Sequence, residues 1–99
     1  MMHLIYTPLA LEDFDTILDR IAKDNPAAAV RLGEDFNKTC LLLKTNPRMG
    51  EAKDNLQPGL RRFICRGYGI YYRIDEERKV VYVSRFIHPR INVTSQLFR

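Results

Sequence analysis

The junction Asp24-Asn25-Pro26 constrains this chain more than any other feature of its sequence. It separates two amphipathic stretches, and each of them opens on a capping residue followed by proline. Thr7-Pro8 opens the first. The threonine hydroxyl can accept from the free backbone N–H groups of a first helical turn, and proline at the first helical position loses no hydrogen bond. Leu11, Phe14, Ile17, Leu18 and Ile21 then recur in steps of three and four, which draws one apolar stripe along a helix. Glu12, Asp13, Asp15 and Asp19 fall largely outside the stripe and read as surface charges, the earlier ones suited to the positive end of the helix dipole. Asn25 and Pro26 repeat the opening for a second helix with its stripe on Ala29, Leu32, Gly33, Phe36, Cys40 and Leu43, closed by Asn46-Pro47. Two helices joined by so short a link fold back on each other as an antiparallel hairpin.

A hairpin with an apolar face needs something to lie on, and the rest of the chain supplies strands. Residues 3–6 form a short one before the first helix. Residues 46–59 read as a loop, punctuated by Pro47, Gly50, Pro58 and Gly59 and anchored only by Met49 and Leu56. Leu60 to Cys65, Tyr68 to Ile74 and Val80 to Ile87 follow as strands, joined by Arg66-Gly67 and by the charged turn Asp75 to Lys79. Alternation places Tyr68, Ile70, Tyr72 and Ile74 on one face of the middle strand, with Tyr71 and Arg73 on the other. In the last strand it places Val81, Val83, Arg85 and Ile87 opposite Val80, Tyr82, Ser84 and Phe86. Both sets are mostly apolar, so the pattern leaves open which one meets the helices. His88-Pro89 ends the strand, and residues 90–99 form a basic tail with Leu97 and Phe98 as anchors. The order is β-α-α-β-β-β. It predicts a two-layer α+β fold, with the helix hairpin packed on one face of a mainly antiparallel sheet and residues 1–99 as a single domain.

Composition narrows the function classes. The apolar runs are only a few residues long, far short of the roughly 20 needed to cross a membrane, and no secretory leader is recognisable at the N-terminus. Cys40 and Cys65 have neither disulfide-scaffold nor metal-ligand spacing, so both are expected as reduced thiols in a cytoplasmic protein. The net charge of +4 is unevenly spread: residues 1–50 hold six basic and seven acidic side chains, residues 51–99 ten and five. The basic half suits either an anionic partner or a solvated arginine-rich surface.

No phosphate-binding glycine loop, HExxH, CxxC or nucleophile elbow is present, and no metal or cofactor is expected. His88, between Arg85 and Arg90, is open to two readings: a general acid or base, or a hydrogen-bonded strand cap. Arg61, Arg62, Arg66, Arg73, Arg85 and Arg90 all fall in or beside the sheet. A guanidinium fork grips carboxylate or phosphate in two places. Arg61 and Arg62 must point to opposite faces, so one of them reaches the helix side, where an arginine needs a partner. One arginine of the set is therefore expected to pair with a helix carboxylate, while the others gather on the open sheet face.

These pieces, in this order, resemble ParE toxins of the RelE/ParE superfamily. The resemblance runs from Ile5–Ile21 and Asn25-Pro26-Ala27-Ala28 through Asn46-Pro47-Arg48-Met49-Gly50, Asn55-Leu56 and Gly59-Leu60-Arg61-Arg62. It continues in Tyr71-Tyr72-Arg73, Arg85-Phe86-Ile87-His88 and Ile91-Asn92. It implies the same β-α-α-β-β-β fold and a toxin that poisons DNA gyrase without being an enzyme itself. It also implies a ParD-like ribbon-helix-helix antitoxin that wraps the toxin and carries the pair to operator DNA. On that footing Arg61, Arg62, Arg73 and Arg85 are expected to bind the antitoxin, and His88, Arg90, Ile91, Asn92, Leu97 and Phe98 the target. Many relatives carry Arg-Asp where this chain has Ile91-Asn92, so a role resting on that pair does not transfer. The related RelE toxins cut mRNA on the ribosome with basic sheet residues and a Tyr or His near the C-terminus. Here the tail after His88 has neither. A nuclease would have to use His88, or Tyr71 or Tyr72, for proton transfer, with Arg62, Arg73, Arg85 and Arg90 stabilising the phosphate.

Overall fold

The computed structural model describes residues 2–98. Its elements run β1 (His3–Tyr6), α1 (Pro8–Asp24), α2 (Pro26–Thr45), β2 (Glu51–Ala52), β3 (Leu60–Cys65), β4 (Tyr68–Asp75) and β5 (Val80–Ile87), ending in a 3-10 turn at Ser95–Phe98. Both helices begin as their sequences dictate. The Thr7 hydroxyl accepts from the Ala10 N–H at 3.2 Å, and the Asn25 side chain from the Ala28 N–H at 3.1 Å. Asn25 also donates its own N–H to Ile21 O, so one residue closes α1 and opens α2. The hairpin is close because Gly33 faces Leu18. A Cβ on Gly33 would stand 3.0 Å from the Leu18 side chain.

The sheet is five-stranded in the order β1-β5-β4-β3-β2. β1 runs parallel to β5, and every other pair is antiparallel. The helices cover one face. There Ala10, Leu32, Phe36, Cys40 and Leu43 meet Ile70, Tyr72, Val81, Val83 and Phe86. Phe36 is fully buried, with Phe14, Phe86 and Tyr68 ring centroids 4.9 to 5.8 Å away. On the other face Leu60, Tyr71 and Ile87 form a smaller cluster under Val93, Leu97 and Phe98. The tail anchors expected from sequence thus fold back over the sheet, and Phe98 lies 4.9 Å from the Tyr71 ring.

Two features depart from the sequence expectation. The loop over residues 46–59 contains β2, which pairs Glu51 with Arg62 and Ala52 with Arg61. At two residues it is too short for any periodicity to reveal. The loop is held by Tyr72, whose hydroxyl accepts from Gly50 N–H at 2.9 Å and donates to Pro47 O at 2.7 Å. Strict alternation in β5 also fails. The register passes from Tyr71↔Arg85 to Tyr72↔Val83, leaving Ser84 as an extra residue. This bulge turns Phe86 to the helix side with Val81 and Val83, and Ile87 to the other face. The question of which β5 face meets the helices therefore has a different answer on each side of Ser84.

Candidate functional site

The bulge sits where β1 ends. β1 covers only Val80 to Val83 of β5, so the edge beyond needs other partners. α1 provides them. The Thr7 hydroxyl donates to Ser84 O at 2.9 Å, and Asp13 Oδ2 accepts the Phe86 N–H at 3.1 Å. The same carboxylate takes Arg85 in a two-pronged contact, Nε to Oδ2 at 2.6 Å and Nη2 to Oδ1 at 2.9 Å. Both side chains are mostly sheltered, Arg85 at 21% and Asp13 at 15% exposure. The hydrogen bond to Asp13 raises the Arg85 pKa above its ordinary value, keeping the guanidinium charged. Arg85 Nη1 then donates to Leu97 O at 3.0 Å, so one arginine ties α1, β5 and the tail together.

Two arginines of the set, not one, pair with a helix carboxylate: Arg85 with Asp13 of α1, and Arg66 with Asp35 of α2. Asp13 is no surface charge. It lies three residues after Ala10 and four before Ile17, on the edge of the apolar stripe, and that spacing was the available signal. Arg61 takes the helix side of β3, opposite Tyr72. It donates to Gly50 O and Arg48 O, both at 3.0 Å, and so clamps the loop before β2. Arg73 Nη1 reaches Gln57 Oε1 at 2.7 Å. The hairpin between β3 and β4 turns on Arg66 and Gly67, both with positive φ (51° and 86°), the geometry of a tight two-residue turn. There Arg66 forms an ion pair with Asp35 of α2.

Arg62 is placed differently. It lies on the open face opposite Tyr71. Its Nη2 meets Glu51 at 2.8 Å, while its Nε is buried without an acceptor among the described residues. A buried donor left in that condition costs about 1–3 kcal/mol. Lys53 and, behind it, Arg62 hold the Glu51 carboxyl below the usual carboxylate range. Arg62 lines a hollow of about 210 Å³ with Ile64, Gly67, Gly69, Tyr71, Ile87, His88, Pro89, Ile91 and Val93. Sequence pattern gave no sign of Ile64 as part of this hollow, nor of Glu51 as the partner of Arg62.

His88 stands at the head of the hollow. Its Nδ1 accepts the Arg90 N–H at 3.0 Å, and its ring meets the Tyr68 ring edge-on at 5.4 Å. It therefore caps the strand end, and with Nδ1 engaged as an acceptor the neutral ring carries its proton on Nε2. His88 and Ile91 also border a second hollow of about 330 Å³ with Glu12, Thr16, Ile17 and Leu97. Ile91 is half exposed on the ridge between the two, and Arg90 and Asn92 are exposed beside it. Of the residues singled out from sequence, Arg62, Tyr71, His88 and Ile91 share one hollow. Arg85, Leu97 and Phe98 belong to the tail clasp, Gln57 reaching Phe98 O at 3.1 Å. Arg61 and Arg73 lie further along the sheet.

Comparison with known proteins bears on what this arrangement is for. The family model described as "ParE toxin of type II toxin-antitoxin system, parDE" matches residues 4–93. Toxin ParE3 of Caulobacter vibrioides is 28% identical over 102 residues, covering 98% of this chain and 96% of that protein. Toxin ParE1 of Mycobacterium tuberculosis is 35% identical over 52 residues, 52% of each chain. Among solved structures, the chromosomal ParDE toxin–antitoxin system from P. aeruginosa superposes with a TM-score of 0.75 at 22% identity. That match covers 89% of this chain and 96% of the other. The RelBE2 toxin–antitoxin complex of M. tuberculosis gives 0.60 at 25% identity, covering 88% and 96%. With two helices on a mixed sheet and a family match over nearly its whole length, the chain belongs to the ParE toxins of type II toxin–antitoxin systems, within the RelE/ParE superfamily.

Proposed function

We propose that this toxin arrests bacterial growth by poisoning DNA gyrase and that a ParD-like ribbon-helix-helix antitoxin neutralises it. The observation that carries the reading is the family match over residues 4–93. The whole chain acts as one toxin domain in the cytoplasm and meets operator DNA only through the antitoxin. The arginines 61, 62, 73 and 85 form the antitoxin surface. Arg62 and Arg73 touch the partner directly, while Arg61 and Arg85 hold β2 and the tail in place beneath it. The ridge of His88, Arg90, Ile91 and Asn92, with Leu97 and Phe98 behind it, faces the target. The partly exposed apolar side chains left on this ridge and around Arg62 suit burial by another protein.

The test is a cleavage assay with purified toxin, gyrase, ATP and supercoiled plasmid, stopped with detergent and protease. Linear DNA that requires gyrase and vanishes on adding the antitoxin is the expected result. Growth arrest without linear DNA would remove gyrase as the target.

One observation favours a second reading, a ribosome-dependent ribonuclease of the RelE kind: Arg62 and His88 line the same hollow. It requires that His88→Gln abolish mRNA cleavage on ribosomes with the fold intact.

A further inference from the structure

Among the described residues, one buried side-chain N–H lacks an acceptor, and it belongs to Arg62 beside the open-face hollow. We infer that this hollow receives a carboxylate side chain of the antitoxin, flanked by an aliphatic residue, with Arg62 as its anchor. The inference rests on the toxin–antitoxin reading and adds to it the point and chemistry of contact.

Arg61 and Arg85 have their guanidinium groups committed to loop carbonyls and to Asp13. Arg62 holds a carboxylate by one arm only, and that carboxylate, Glu51, is itself solvent-exposed and shared with Lys53. An incoming carboxylate gives the orphaned N–H a partner after a small turn of the guanidinium about its Glu51 contact. The walls then choose the neighbour. Ile64, Ile87, Pro89, Ile91 and Val93 present aliphatic surface, and Gly67 and Gly69 leave the floor without side chains of their own. Ile64 is 47% exposed and Ile91 51%, which leaves room for an apolar residue to complete the packing. Charge agrees, since residues 51–99 hold ten basic side chains against five acidic ones.

A nucleic-acid strand fits less well. Single strands are held by bases stacking on exposed aromatic faces. Two rings line this hollow: Tyr71 is 2% exposed and folded over Gly69, where an added Cβ would stand 2.7 Å from the ring, and His88 is partly buried with its ring packed against Tyr68. The geometry therefore favours a peptide.

The test uses the full chain and, as its partner, a purified ribbon-helix-helix protein from the neighbouring reading frame, where the toxin–antitoxin reading expects the antitoxin gene. Dissociation constants are measured for wild type, Arg62→Gln, Ile64→Asp and Glu51→Gln, with circular-dichroism melts to confirm folding. An eight-nucleotide uridine RNA serves as the competing probe. Arg62→Gln and Ile64→Asp are each expected to weaken antitoxin binding about tenfold or more. Glu51→Gln is expected to tighten it, because the internal competitor is gone. Ile64 and Glu51 are exposed, so those two variants stay informative if Arg62→Gln folds poorly. Wild-type affinity in both Arg62→Gln and Ile64→Asp would overturn the inference and leave the toxin–antitoxin reading standing. Weakening by Glu51→Gln would overturn it too, reducing Arg62–Glu51 to a structural pair. Arg62-dependent RNA binding with antitoxin affinity unchanged would replace the peptide with a nucleic acid. Failure of wild type to bind any antitoxin would take down the parent reading and this one together.

Discussion

Tyr72 shows how much one hydroxyl can organise. The ring belongs to the core, but the oxygen stands at the point where the chain leaves α2 and returns to the sheet. It serves two backbone groups of that loop at once. Burial pushes its pKa up, against the lowering effect of the Gly50 N–H. Tyr72→Phe keeps the ring and orphans both loop groups, so a loss of about 1–3 kcal/mol is expected in urea unfolding. A change under 0.5 kcal/mol, roughly what an ordinary surface substitution gives, would mean that water replaces the hydroxyl. Gly50 is the matching constraint. A Cβ there would fall 2.8 Å from Arg62 O, backbone against backbone, so the glycine is present for space. The sequence marked Tyr72 as one of an alternating set and Gly50 as loop punctuation. Their partnership across 22 residues was not legible, because periodicity reports faces and not the ends of side chains.

Elements were legible to the degree that their signals are local. Proline after a capping residue, a 3.6-residue stripe and a two-residue turn all act within one or two turns of chain, and α1, α2 and the β3–β4 hairpin stand where those signals put them. β2 and the bulge at Ser84 were missed because their causes are remote. β2 exists because β3 offers an edge, and the bulge stands where β1 stops and α1 takes over the edge of β5. Asp13 carries that handover. Asp13→Asn keeps the shape but removes the charge facing Arg85. The pair is sheltered without being fully buried, so a loss of about 2 kcal/mol is expected, below the cost of breaking a fully buried pair. Hydrogen exchange gives a sharper reading. The Phe86 amide, held by Asp13, should lose protection before its neighbours in β4 do. Unchanged protection at Phe86 would show that the β5 edge stands without α1.

For the whole molecule the sensitive range is alkaline. Burial pushes the Cys40 thiol up to about 11, and the nearby Tyr6 hydroxyl rises as well, again mainly through burial. In the unfolded chain the same thiol ionises near its ordinary value, 9.0. Between that value and about 11 the folded state binds the extra proton, so this contribution is complete below pH 8 and shrinks as pH rises. The expected loss is on the order of 2 kcal/mol between pH 8 and 11, read as a falling urea midpoint. A flat midpoint would show that the thiol titrates freely. The same window contains the isoelectric point near 9.3, where charge repulsion between copies vanishes. The native Cys40 thiol should also be slow to react with a disulfide reagent at pH 8, since it is fully buried and held as the thiol.

The place of β5 in the sheet has a consequence for when a toxin of this build comes into being. β5 is made after the other four strands of the sheet, yet it lies between β1 and β4, and His3 finds its partner only in Val80. The helix hairpin forms from neighbouring residues and can take shape early on a growing chain. The floor beneath it cannot, because β1 has no neighbour until Val80 to Val83 have been added. A truncated product ending before Val80 has helices without a finished sheet and none of the ridge around His88. A toxin-binding partner has no complete surface to recognise until β5 and the ridge beyond it have been made.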